Sequence, residues 1–123
     1  MAKILVVDDD ESLREMLCLS LRRAGFDVIE ASDGNQATKL IKRESVDLVI
    51  TDIIMPDKEG IQLIIELRET KPEIKIIAMS GGGVVLSELY LDMAKRLGAD
   101  RIIAKPVFRD DLLKMIRELL GGR

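Results

Sequence analysis

An α/β fold, with a parallel sheet covered by helices on both faces, is predicted from three observations on the 123-residue chain. Short apolar runs alternate five times with stretches of helical spacing. The runs are almost continuously apolar, as strands buried on both faces require. Each strand is joined to the next by a helix and short polar turns, and such a parallel crossover is right-handed.

The elements follow in order. Ile4 to Val7 form the first strand, and Leu13, Met16, Leu17, Leu21 and Ala24 then share a helical face that Gly25 is placed to end. The run "FDVIEA" is a second, more alternating strand, and Ala37, Leu40 and Ile41 lie on one face of the second helix. "DLVIT" is a buried strand closed by Asp52; "MPDKEG" is a turn; Ile61, Ile64, Ile65 and Arg68 recur at helical spacing until Lys71-Pro72 stops the helix. "EIKIIAM" is the fourth strand, "SGGG" a loop, and Leu86 to Leu97 a helix stopped by Gly98. "RIIA" is the fifth strand, and Asp110 to Leu120 a last helix with Leu112, Leu113, Ile116, Leu119 and Leu120 inward. Met16, Met79, Met93 and Met115 read as core filler and Cys18 as a small core residue.

Composition narrows the function. Lys and Arg number 19 against 22 Asp and Glu, a formal net charge of −3, with no basic run and no base-stacking aromatic platform, so direct nucleic-acid binding is not expected. A single cysteine supports neither a disulfide framework nor a zinc site. No apolar run reaches the length of a membrane span and the N-terminus carries no secretory pattern, so a cytoplasmic chain without membrane attachment is expected. A single domain, 1–123, is expected, with no stretch of this sequence left over for an output module.

The first strand runs into Asp8, Asp9 and Asp10, where repulsion and desolvation both disfavour charge; the acids either cap the next helix or hold a cation. Asp10 reads as the cap. In an open α/β sheet the functional crevice lies beyond the carboxyl ends of the strands. Strand one delivers Asp8 and Asp9 there, strand three Asp52, strand four Ser80 and strand five Lys105. Neighbouring strands about 4.8 Å apart bring such carboxylates to one point. Oxygen-only ligands suit magnesium rather than zinc. An aspartate can also take a phosphoryl group as an aspartyl-phosphate, whose oxygens need a cation, a lysine and a hydroxyl. Lys105 and Ser80 supply the last two.

"VVDDDES", "DLVITDIIMPDKEG", "IIAMSG" and "IIAKP", in that order, resemble the receiver domains of two-component response regulators, and the resemblance covers the whole chain. It implies a flavodoxin-like (βα)5 fold with strand order 2-1-3-4-5. It implies that Asp52 is the phosphoacceptor and that Asp9, Asp52 and the backbone carbonyl of Ile54 ligate Mg2+, with Asp8 assisting. Ser80 and Lys105 then bind the phosphoryl group, and the Lys105-Pro106 peptide is cis. The implied partners are a histidine kinase or phosphotransfer protein and an output protein; the chain is a signalling phosphoacceptor rather than a turnover enzyme. Without a histidine it is not the phosphohistidine donor. It departs from the pattern at Ile102, where many receivers carry Tyr or Phe, and at Ile54 and Gly82, where receivers place water-orienting side chains.

Two other classes compete. A haloacid-dehalogenase-like phosphatase would use Asp8 and Asp10 as its Asp-x-Asp pair, but that fold wants a longer chain and a further acidic pair downstream. A flavin binder wants a hydroxyl-rich phosphate loop after strand one, where three carboxylates would repel the phosphate.

Overall fold

The computed structural model describes residues 2–53, 60–81 and 84–121, with side chains in the helix at 84–97 described for residue 89 and residues 92–97. Five strands, β1 Lys3–Val7, β2 Asp27–Ala31, β3 Leu48–Asp52, β4 Lys75–Ser80 and β5 Arg101–Ala104, alternate with five helices. These are α1 Glu11–Arg23, α2 Gly34–Arg43, α3 Gly60–Thr70, α4 Val84–Leu97 and α5 Arg109–Leu119. The strands pair in parallel in the order β2-β1-β3-β4-β5, the doubly wound arrangement expected. β1 pairs with both β2 and β3, so strand order reverses beside β1 and the crevice opens over the ends of β1 and β3.

Successive strand residues face opposite sides. Ile4, Val6, Leu48, Ile50, Ile77 and Met79 pack with Leu17, Leu21, Leu112 and Ile116 of α1 and α5. Leu5, Val7, Val49, Ile76 and Ala78 pack with Ala37, Leu63, Ile64, Leu67 and Ala94 of α2, α3 and α4. This double burial is why the strands carry apolar side chains at nearly every position, since either face left polar would strand it inside a core.

The helices correct several expectations. α4 begins at Val84 rather than Leu86, and α5 runs one residue earlier at each end than expected. On α3 the buried stripe is Gly60, Leu63, Ile64 and Leu67, while Ile65, a third of a turn beyond it, is exposed. Met79 is buried and Met115 partly so, but Met16 is 54% and Met93 46% exposed and neither fills the core. Both lie on the outer edge of their helices, where an apolar residue at helical spacing still meets solvent. Cys18 is buried as expected, and burial pushes its thiol up to about 11, leaving little thiolate at neutral pH.

Arg68 is no passive member of the α3 face. Its Nε donates to the Gly98 carbonyl at 2.7 Å, one terminal nitrogen to the Pro72 and Ile74 carbonyls at 2.9 and 2.8 Å, and the other to Asp100 Oδ2 at 2.6 Å. Asp100 Oδ2 also accepts from the Ile76 N–H at 2.8 Å. One planar fork thus ties the ends of α3 and α4 to the start of β4, at the edge of the sheet away from the crevice. Arg68→Ala is expected to cost about 2–4 kcal/mol, because three carbonyls and a carboxylate lose a charged donor together. Urea unfolding measures this; a loss near that of an ordinary surface substitution would contradict it.

Candidate functional site

The site is built by register. Val7 lies beside Thr51, so Asp8, which directly follows β1, and Asp52, the last residue of β3, stand at the ends of adjacent strands on the same edge. Asp52 pairs with Met79 and Ser80 with Ala104, which brings Ser80 and Lys105 to that edge as well, and the Lys105 N–H donates to the Ser80 carbonyl at 2.8 Å. Asp8, Asp52 and Ser80 are all buried; Asp9 is exposed. One carboxylate oxygen each from Asp8, Asp9 and Asp52 lies within 4.8 Å of the others.

Lys105 answers this charge. Its Nζ stands 2.9 Å from Asp8 Oδ2 and donates to Asp52 Oδ2 at 3.1 Å. Burial works against the ammonium, but the contact with Asp8 and the field of both carboxylates outweigh it and raise its pKa above that of an ordinary lysine. Asp8 Oδ1 accepts from the Asp10 N–H at 2.9 Å, whereas Oδ2, also buried, has no described partner besides the lysine. A buried carboxylate oxygen facing two further carboxylates fits a hard divalent cation, and the all-oxygen donor set is the one Mg2+ takes.

Asp10 does what the sequence suggested: its side chain accepts from the Leu13 N–H at 3.1 Å as the N-cap of α1. The Lys105-Pro106 peptide is cis, as expected. Ile54 and Gly82 lie outside the described residues, so the Ile54 carbonyl has no described position. Ile102 is partly buried against the core on the α2, α3 and α4 face.

The packing roles of two glycines escaped sequence reasoning. A Cβ on Gly60 would collide with the Asp52 carbonyl oxygen, and the Gly60 N–H donates to the Ile53 carbonyl at 2.8 Å, so α3 starts hard against the backbone of Asp52. The Thr51 hydroxyl donates to the same Asp52 carbonyl at 2.9 Å. A Cβ on Gly81 would lie 2.9 Å from Lys105 Cδ; the first glycine of "GGG" is the floor under the lysine stem. Neither role has a sequence signal, since both are contacts across the fold.

Lys105→Ala is expected to destabilise the metal-free protein by about 3 kcal/mol at neutral pH, because two buried carboxylates lose their counter-charge. Added MgCl2 should recover part of the loss by binding the folded state alone. Thermal unfolding with chelator and with MgCl2 tests this, and an unchanged midpoint in chelator would contradict it.

Comparison with known proteins agrees with the geometry. Residues 4–117 match the family model described as the response regulator receiver domain. The chain is 41% identical over 120 residues to the transcriptional regulatory protein CpxR of Klebsiella pneumoniae, covering 98% of this chain and 50% of that protein. It is 34% identical over 118 residues to the alkaline phosphatase synthesis transcriptional regulatory protein PhoP of Bacillus subtilis, covering 96% of this chain and 48% of that protein. The chain therefore spans about half the length of the curated relatives it matches. A CheY-like receiver domain protein from Methanospirillum hungatei superposes with a TM-score of 0.88 at 30% identity, covering 99% of this chain and 96% of that one. Among the described residues no helix is long and apolar enough to cross a membrane. The haloacid-dehalogenase alternative finds no support, and Asp10, the second acid it needs, serves as a helix cap. The sheet order, the acidic cluster at the switch point and the family match lead to one conclusion: the chain belongs to the response regulator receiver domain family.

Proposed function

We propose that this chain accepts a phosphoryl group on Asp52 from a phosphohistidine donor, in a Mg2+-dependent step, and thereby switches a surface read by an output partner. The observation that carries the reading is the convergence of Asp8, Asp9 and Asp52 within 4.8 Å, with the Lys105 ammonium on Asp8 and Asp52. An Asp52 carboxylate oxygen attacks phosphorus, the phosphorus–nitrogen bond of the donor breaks, and the electron pair returns to the imidazole, which takes a proton from solvent. Asp8, Asp9 and Asp52 would hold Mg2+, together with the Ile54 carbonyl expected from the family pattern. The ion when bound supplies positive charge to the phosphoryl oxygens. Lys105 already spans Asp8 and Asp52, so its ammonium is in reach of an oxygen added to Asp52. Ser80, buried at the end of β4, offers a hydroxyl at the same edge.

Signalling follows from the same contacts. A phosphoryl group that draws in Lys105 and Ser80 pulls on the loop between β4 and α4, which leaves directly from Ser80 through Gly81. Ile102 has no ring to reorient, so the change is carried by this loop and the start of α4. The kinase and the output partner are the ones the family implies; CpxR and PhoP, named above, are transcriptional regulatory proteins about twice this chain's length.

Incubation with MgCl2 and a small phosphodonor such as acetyl phosphate is expected to add one phosphate to the intact mass. The addition should be lost in Asp52→Asn and in chelator. Undiminished labelling of Asp52→Asn would overturn the assignment.

The phosphorylated state is expected to be long-lived. Hydrolysis needs a water aligned behind phosphorus, and at the two positions where receivers place water-orienting side chains this chain has Ile54 and Gly82, neither of which can hydrogen-bond a water through its side chain. After removal of the donor, loss of the phosphorylated mass should be about tenfold or more slower than in the double variant Ile54→Asn, Gly82→Glu. Equal decay of the two proteins would show that water positioning at these residues does not set the rate.

A further inference from the structure

Arg14 lies on α1 and has no described contact with the carboxylates of the site, yet it is wired to the backbone of one of them. One terminal nitrogen donates to the Asp8 carbonyl at 2.8 Å, and Nε donates to Glu30 Oε1 on β2 at 2.9 Å. Its side chain is 13% exposed, so the guanidinium is held between helix and sheet rather than waving in solvent. The Asp8 N–H donates to the Ala31 carbonyl of β2 at 3.2 Å, and Asp8 Oδ1 accepts from the Asp10 N–H. Both peptide planes that flank Asp9 are thereby pinned: the one before it by Arg14 on the Asp8 carbonyl, the one after it by Asp8 on the Asp10 N–H. Asp9 itself is exposed, so packing does little to aim it, and its direction comes from those two planes.

Resting on the reading of Asp8, Asp9 and Asp52 as the Mg2+ ligands, we propose that Arg14, oriented by Glu30, is a positioning residue that holds the turn after β1 in its cation-binding geometry. The guanidinium suits this because its planar fork can meet a carboxylate and a carbonyl at once. Glu30 has a second effect: its negative charge offsets a cation that would otherwise stand near a divalent ion. Groups beyond the ligands typically change metal affinity by roughly 10- to 100-fold when removed.

Charge and positioning predict opposite signs. Arg14→Met keeps an apolar stem but removes a positive charge, so a purely electrostatic role would tighten Mg2+ binding, whereas loss of the hydrogen bond to the Asp8 carbonyl should weaken it by roughly tenfold or more. MgCl2 titrations followed by backbone amide shifts in NMR measure this on the full chain, at a temperature where circular dichroism shows the variant folded in chelator. Glu30→Ala should also weaken binding, and Glu30→Gln, which can still accept from Nε, should recover most of the loss. A merely structural Arg14 would lower the unfolding midpoint without moving the affinity of the folded protein. Asp9→Asn is the control for the site. If it loses Mg2+ while Arg14→Met binds as tightly as the parent or tighter, the positioning role is overturned and the site stands. If the parent protein shows no Mg2+-dependent shifts around Asp9 and Asp52, the ligand assignment falls and this role with it.

Discussion

The structure is organised around a repulsion. A parallel sheet points all its carboxyl ends one way, and here that geometry drives Asp8 and Asp52, both buried, to within 4.8 Å of each other and of Asp9. Like charges this close in a partly dry site oppose folding unless a cation meets them. Lys105 is that cation among the described residues, reaching both buried carboxylates from the end of the edge strand. The same arrangement makes the site reactive: a lysine shared by two acids is placed to share itself with a third group, and a carboxylate oxygen facing other carboxylates is placed to take a divalent ion.

Holding opposed charges in place demands a rigid frame, and each part of it is a close backbone contact. Gly60 lets α3 start against the Asp52 carbonyl, Gly81 leaves room for the lysine stem, and Arg14 fastens the turn that carries Asp8 and Asp9. The opposite edge of the sheet is built differently. There Arg68 satisfies three carbonyls and Asp100, leaving a closed network with its charges matched. One edge is thus saturated and the other is held under electrostatic tension, which is where a ligand or a covalent modification can change the balance.

Much of this was legible before any coordinates. The alternation of apolar runs with helical spacing identified ten elements in the right order, because double burial forces strands to be apolar throughout and the helices to carry an inward stripe. Asp8, Asp9, Asp52, Ser80 and Lys105 could be set at one edge because each closes a strand or follows its end within two residues, and parallel strands share a direction. The faces of helices were less legible. Met16, Met93 and Ile65 have the spacing of core residues but sit at the margin of the stripe, and the margin depends on how each helix lies across the sheet.

What the sequence determined by itself was the set of groups delivered to the crevice, since that depends only on chain order and strand direction. What the tertiary structure alone decided was how those groups are held. In the sequence Arg14 carries no signal of its own, Arg68 is one more position on a helical face, Gly60 closes a turn and Gly81 opens a loop. Their partners stand on other elements: Arg14 on Glu30 of β2, Arg68 on Gly98 and Asp100, Gly60 on Asp52, Gly81 on Lys105. Hydrogen bonds and van der Waals contacts act over a few ångströms of space, not along the chain, so no spacing rule records them until the strands and helices have been packed together.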